Sequence, residues 1–193
     1  LGPFKPKGGY ALHEPAKVCH IGRFEEAKNH AAIVSAAELL KTDGFDVSFD
    51  LYGIGSLMED VKAAVESKGL GDEFVFHGLT DKVPEALAEA DVFVFPSLYE
   101  GMPMVLAEAM AAGLPIVASA AGGIPDMLQD GKNALLCDPD GPSVAAAVER
   151  SLRDVELRKK LGEGARSHAA DFSSDAMARA YLDVYRRGDK RAC

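Results

Sequence analysis

The sequence predicts an α/β domain in which a parallel sheet lies between two layers of helices. Two observations carry this expectation. Six short runs rich in β-branched and aromatic residues alternate with stretches of helical pattern, and these runs are apolar enough to be buried on both faces. Glycines also fall directly after helical stretches, at Gly44, Gly69 and Gly113, where a left-handed helix cap needs them.

Taken in order, Val18 to Ile21 is the first strand, and a helix near 29–42 follows it and ends at Gly44. Val47 to Tyr52 leads to a helix near 57–68, which Ser56-Leu57-Met58-Glu59 opens as a capping box and Gly69 closes. Phe74 to Phe76 precedes a helix near 83–89. Val92 to Phe95 precedes one near 103–112, with Pro103 suited to its first turn and Gly113 beyond its end. Ile116 to Ala118 and Ala134 to Cys137 complete the strands, and helices near 141–152, 155–169 and 174–186 close the chain. The pattern is Rossmann-like. Residues 1–16, with three prolines and three glycines, read as an irregular lead-in or the stump of an interdomain connection. Residues 17–187 form the domain and 188–193 a tail.

With 193 residues the chain suits one domain with a full core. Its 48% hydrophobic and 26% charged residues are ordinary for a globular protein. No apolar run approaches the roughly 20 residues that span a bilayer. A formal charge of −9 argues against a nucleic-acid partner, because such affinity rests on Lys and Arg neutralising phosphates. Cys19, Cys137 and Cys193 are far apart and lack metal or redox spacing, which fits a reduced, cytoplasmic protein. The opening Leu1, in place of Met, suggests a piece of a longer chain.

In open α/β sheets ligands sit at the carboxyl ends of the strands. After the first strand, Gly22-Arg23-Phe24-Glu25-Glu26-Ala27-Lys28-Asn29 sets two cations before a helix N-terminus. That arrangement suits a diphosphate, although on these residues alone Arg23 and Lys28 read more readily as solvated partners of Glu25 and Glu26. Gly53-Ile54-Gly55 after the second strand fails as a dinucleotide fingerprint, because Met58 stands where the third glycine belongs and the strand is the wrong one. This disfavours a dehydrogenase. Phe76-His77-Gly78-Leu79 lines a base pocket by its backbone or is a turn with a satisfied histidine. No metal site is expected: no histidine pair has ligand spacing, and Asp138-Pro139-Asp140 reads as a turn into a helix.

The most pointed feature is Glu108. From Gly101 to Pro125 every other residue is neutral, and Glu108 stands among Val105, Leu106, Ala109 and Met110 in a helix expected to be buried. A buried carboxylate needs donors. Either neighbouring backbone N–H groups supply them, or a ligand with vicinal hydroxyls does, as a nucleotide ribose would.

In sequence order, Gly22-Arg23 with Lys28, Gly53-x-Gly55, Phe76-x-Gly78, Asp91-Val92, Pro96-Ser97 with Glu100-Gly101-x-Pro103, Glu100 and Glu108 separated by seven residues, Gly113-x-Pro115, Gly122-Gly123 and Asp130-Gly131 together resemble one family. It is the large retaining family 4 of GT-B glycosyltransferases, in its carboxyl-terminal half, over about residues 17–186. The resemblance implies a nucleotide-diphosphate sugar as donor substrate, a UDP-sugar first and a GDP- or ADP-sugar as alternatives, with no cofactor.

By the same resemblance, Arg23 and Lys28 hold the diphosphate and, with Glu100 at the donor sugar, form the catalytic set. Gly22 and Gly53 belong to the donor-binding set, Gly53 in a turn whose glycines either let the backbone approach the ligand or only tighten the chain, and the backbone of Gly101, Met102, Pro103, Met104 and Val105 holds sugar and phosphate at the helix N-terminus. Glu108 takes the ribose, and the base stacks near Phe76, His77, Gly78 and Leu79. Asp126, Ala134 and Ser56 depart from the common pattern without removing a ligand contact.

The family's amino-terminal acceptor-binding domain has no counterpart in this sequence. The chain is therefore expected to be inactive in transfer without it; alternatively, it is a separate non-catalytic subunit of a split transferase that binds the nucleotide-sugar. With the partner domain absent, an exposed patch is expected at the carboxyl ends of the strands. The cluster Arg186-Arg187 with Lys190-Arg191 reads as a solvated end, so contact with the inner face of a membrane is expected only through the full-length protein.

Overall fold

Six strands form one sheet: β1 (Ala16–Ile21), β2 (Val47–Tyr52), β3 (Phe74–Gly78), β4 (Val92–Phe95), β5 (Ile116–Ser119) and β6 (Leu135–Cys137). The helices are α1 (His30–Thr42), α2 (Met58–Ser67), α3 (Val83–Glu89), α4 (Met104–Ala112), α5 (Ile124–Met127), α6 (Gly141–Arg153), α7 (Val155–His168) and α8 (Ser174–Asp189). This computed structural model describes residues 2–189, so Lys190 and Arg191 of the terminal cluster lie outside the described residues.

The strands run β3-β2-β1-β4-β5-β6, every neighbouring pair parallel. The order reverses between β1 and β4, and such a reversal opens a crevice at the carboxyl ends of those two strands. Burial explains the composition. Central β4 and β5 are buried at every residue, whereas β2 and β3, toward one edge, alternate between buried and more open positions.

One core lies against α1, α2 and α6, where Ile33, Leu40 and Val148 pack on Val18, Phe49 and Leu51. The other lies against α3, α4 and α7, where Leu106 and Met110 meet Cys19, Phe93 and Phe95. Six of the nine residues of α4 are buried, as befits a helix apolar on nearly every side, and Glu108 is its single charge. Among the described residues no helix is long and apolar enough to cross a membrane.

All six strands lie where the sequence places them; α5, four residues with a proline inside, is too short to give a periodic signal. Gly44, Gly69 and Gly113 do take positive φ after their helices. The capping box is corrected. The N-cap of α2 is Leu57, and no side chain caps the helix. Leu57 N donates to Phe24 O at 2.9 Å, and this tie to the β1 turn sets the helix start one residue later than Ser56 requires.

Residues 2–15 of the lead-in have no helix or strand but are tied to the body, while Ala16 already belongs to β1. Lys7 N donates to Ala112 O at 3.1 Å and Arg158 Nε to Tyr10 O at 3.0 Å. Buried Asp91 accepts from the backbone N–H groups of His13 and Lys17, each at 2.9 Å, so its charge has partners.

Candidate functional site

The turn after β1 lies directly on the turn after β2. Gly22 N donates to Tyr52 O at 2.9 Å and Phe24 N to Ile54 O at 3.0 Å. A Cβ at Gly53, where φ is 136°, would stand 2.0 Å from Gly22 O, and one at Gly55 would stand 2.4 Å from Phe24 O. Backbone packing is enough to require glycine at Gly53 and Gly55. Gly22 is constrained from below: a Cβ there would come within 2.9 Å of Nε2 of the buried His20. The ring of His30 meets that of His20 edge-on at 4.8 Å, and burial lowers the two pKa values to about 4 and about 3 respectively for His20 and His30, so both are neutral at physiological pH.

A second set of bonds joins the β1 turn to the loop after β4. Leu98 N donates to Ala27 O at 2.8 Å, and Asn29, in the left-handed conformation, donates from Nδ2 to Pro96 O at 3.1 Å and to Pro139 O at 2.8 Å. Across this junction Lys28 forms an ion pair with Glu100, with side chains only 20% and 13% exposed, and its Nζ lies 4.9 Å from the centroid of the Phe95 ring. Arg23 differs. Its side chain is 74% exposed and pairs with Glu25 at 3.0 Å. Of the two solvated pairs that the sequence left open, Arg23 therefore has its acidic neighbour while Lys28 reaches across the crevice.

Glu100 and Gly101 rest on the double glycine after β5. Gly123 N donates to Glu100 O at 2.8 Å, and a Cβ on Gly123 would lie 1.8 Å from Gly101 O. We expect Gly123→Ala to displace this loop and cost about 2 kcal/mol or more in chemical denaturation. Gly101→Ala, whose added Cβ meets nothing within 4 Å, should cost less than about 0.5 kcal/mol.

Pro103 is the N-cap of α4, and the first backbone N–H groups of the helix, at Met104 and Val105, face the crevice end. Met102 and Met104 are exposed, and Pro103 is buried. Glu108 is half-buried and has no hydrogen bond or ion pair among the described residues. Burial raises its carboxyl pKa above the usual value. The structural alternative, a bond to neighbouring backbone N–H groups, is absent.

The structure thus gathers Gly22, Arg23, Lys28, Glu100 and Gly101 to Val105 on the loops around the β1/β4 crevice, with Gly53 beside them, and sets Glu108 in the second turn of the helix that follows. The segment after β3 is more divided. Phe76 turns its ring into the core against Phe24 and Phe74. His77 stacks on Tyr52 at 4.2 Å, with Nε2 2.6 Å from Asp50 Oδ1, as a satisfied turn histidine does. Gly78 takes φ 70° and passes the chain to exposed Leu79. Leu79 and Thr80 form one wall of a cleft of ≈ 210 Å³, with Arg23, Tyr52, Gly53 and Ile54 opposite. Tyr52, Ile54 and Thr80 escaped sequence reasoning. Only the Gly-x-Gly turn beside them marked the place.

A separate cleft of ≈ 260 Å³ between α1 and α2 is lined by apolar residues such as Val34, Val61 and Leu98 under an acidic rim of Glu25, Glu26 and Asp60, the wrong charge for a phosphate. Asp140 is used as the N-cap of α6, accepting from Ser143 N at 2.8 Å. Ile54, Leu79, Leu98, Tyr99, Met102 and Met104 are all exposed at the carboxyl ends of the strands, an apolar surface of the kind expected there.

Residues 6–168 match the family model described as Glycosyl transferases group 1. The chain belongs to the group 1 glycosyl transferases. N-acetyl-alpha-D-glucosaminyl L-malate synthase of Bacillus anthracis is 32% identical to this group 1 domain over 182 residues, 93% of the chain and 48% of that protein. The chain spans about half the length of the curated relatives it matches. The solved C-terminal domain of a group 1 family glycosyl transferase (LpcC) from Francisella tularensis shares its fold with a TM-score of 0.78 at 20% identity, over 88% of this chain and 95% of that one. HepE of Anabaena, solved in complex with UDP, superposes with a TM-score of 0.84 at 20% identity, over 90% of this chain and 49% of that one. The fold of the group 1 domain is that of the carboxyl-terminal half of a GT-B glycosyltransferase.

Proposed function

We propose that this chain is the donor-binding half of a retaining glycosyltransferase that takes a nucleotide-diphosphate sugar, a UDP-sugar first, and passes a hexosyl or N-acetylhexosaminyl group to an acceptor held by another domain. The observation that carries this reading is Glu108, a half-buried carboxylate in the second turn of α4 with no protein partner among the described residues. Vicinal ribose hydroxyls would supply the missing donors.

Arg23 and Lys28 then receive the diphosphate and offset the negative charge that grows on it as the glycosidic bond breaks. Glu100 and the backbone from Gly101 to Val105 hold sugar hydroxyls and phosphate, and the base enters the cleft beside Leu79. The UDP carried by HepE supports uridine as the first choice of base. The reducing, cytoplasmic setting, at most peripheral to a membrane through the full-length protein, and the lack of a nucleic-acid partner belong to the same proposal.

Alignment of donor and acceptor needs a cleft closed between two domains. The isolated chain is therefore expected to bind donor and to show no appreciable transfer with any sugar acceptor. Thermal unfolding with UDP, GDP, ADP and NAD tests the binding half of this statement: a ligand at about 100 times its dissociation constant adds roughly 2.7 kcal/mol. One nucleoside diphosphate should give that shift and NAD none. Turnover by the isolated chain would refute the need for a partner domain.

A further inference from the structure

The ion pair between Lys28 and Glu100 joins two side chains that the donor-site reading assigns to different parts of one ligand. Its setting is not that of a surface pair. Both side chains are largely buried, and both backbones are held, Lys28 N donating to Glu25 O at 3.0 Å and Glu100 O accepting from Gly123 N at 2.8 Å. Lys28 is further held over the Phe95 ring. Arg23 is exposed and, among the described residues, pairs with Glu25 alone. The site thus presents an exposed cation and a largely buried one whose charge is already matched.

That arrangement treats two related ligands differently. A terminal phosphate has a second ionisation near pH 6 and carries about one more negative charge at pH 7 than the same phosphate esterified to a sugar. Bare nucleoside diphosphate therefore brings its extra charge to a lysine already neutralised, next to the carboxylate that neutralises it, and like charges so placed repel. A sugar on that phosphate removes the extra charge and offers hydroxyl donors to the same carboxylate.

We propose that Glu100, held on Lys28, makes this site select the sugar-bearing donor over the bare nucleoside diphosphate. The inference rests on the donor-site reading above and deepens it: Glu100 serves as a specificity-determining residue as well as a sugar ligand. The discrimination comes from its charge, so it disappears when the charge is removed with the shape kept.

Calorimetric titration of the 193-residue chain with UDP and with UDP-glucose tests this in the wild type, Glu100→Gln and Glu100→Asp. Glu100→Gln should bind UDP about tenfold more tightly, the scale of one like-charge contact partly screened by solvent. Its affinity for UDP-glucose should stay level or fall, so the preference for the sugar-bearing ligand drops by at least about tenfold. Glu100→Asp keeps the charge and should keep the wild-type penalty on UDP.

Unchanged or weaker UDP binding by Glu100→Gln, equal tightening toward both ligands, or an aspartate variant that behaves like the glutamine one would each overturn the inference while leaving the donor site standing. Wild-type protein that binds none of UDP, GDP or ADP removes the donor site itself, and this inference with it.

Discussion

Glu108→Gln should weaken UDP binding by about 100-fold, two charge-assisted hydrogen bonds being replaced by neutral ones, and should at the same time raise the melting temperature of the ligand-free chain at neutral pH. The two effects have one cause. Burial raises the pKa of this carboxyl, so the folded chain holds the proton more tightly than the unfolded chain does. Its contribution to stability is then most favourable at low pH, below the ordinary carboxylate value, and declines as pH rises from there through the raised folded value. Above that window the wild type bears the whole unfavourable effect of an ionised group in a half-buried place. Glutamine, nearly the same shape without the charge, escapes it.

The pH dependence gives a second reading of the same residue. The gap in melting temperature between variant and wild type should narrow as pH falls through that window, because the wild-type carboxyl becomes protonated there. A variant that melts lower than the wild type and still binds UDP normally would show that the carboxylate is structural, and the ribose assignment would fail. A site held ready for a ligand at some expense of stability behaves in the expected way.

How far the sequence announced this site depends on the kind of signal each residue leaves. The sheet was plain because β4 and β5, VFVF and IVAS, are solid apolar runs flanked by helix caps, and such runs have few other uses. Glu108 was plain for the opposite reason, as one charge in a long neutral stretch. The Lys28–Glu100 pair was not foreseen. The two residues are separated by 72 positions, and nothing local in either loop points to the other; only the strand order, which sets β1 beside β4, brings them together.

The glycines were legible as positions and not as causes. Gly53 and Gly55 look like a phosphate turn in the sequence, but their lack of side chains serves the contact with Gly22 O and Phe24 O. The double glycine at Gly122 and Gly123 likewise serves the backbone of Glu100 and Gly101. A capping box at Ser56 failed because that same packing fixes the start of α2 through Leu57. Tertiary contact between loops overrode a local signal in each case.

If this domain works beside an acceptor domain as proposed, Lys28→Met should lower the transfer rate by about 10²- to 10³-fold, the range for loss of one preorganised group that stabilises transition-state charge. The donor KM should change far less, because Arg23 still meets the diphosphate in the ground state. The substitution also strands Glu100, 13% exposed and without its ion-pair partner, so the variant should be less stable as well. Loss of rate alone would then not separate a catalytic role from a fold defect.

The double variant Lys28→Met with Glu100→Gln makes the separation. Removing the stranded charge should restore most of the melting temperature, since both members of the pair are then neutral. Transfer should recover only in part, by about tenfold, because the carboxylate no longer repels the leaving phosphate while no cation returns to it. Full recovery of transfer along with stability would mean that Lys28 serves only to neutralise Glu100. The charge on the departing diphosphate would then rest on Arg23 and the α4 N-terminus, and that outcome would move the catalytic assignment from the largely buried cation to the exposed one.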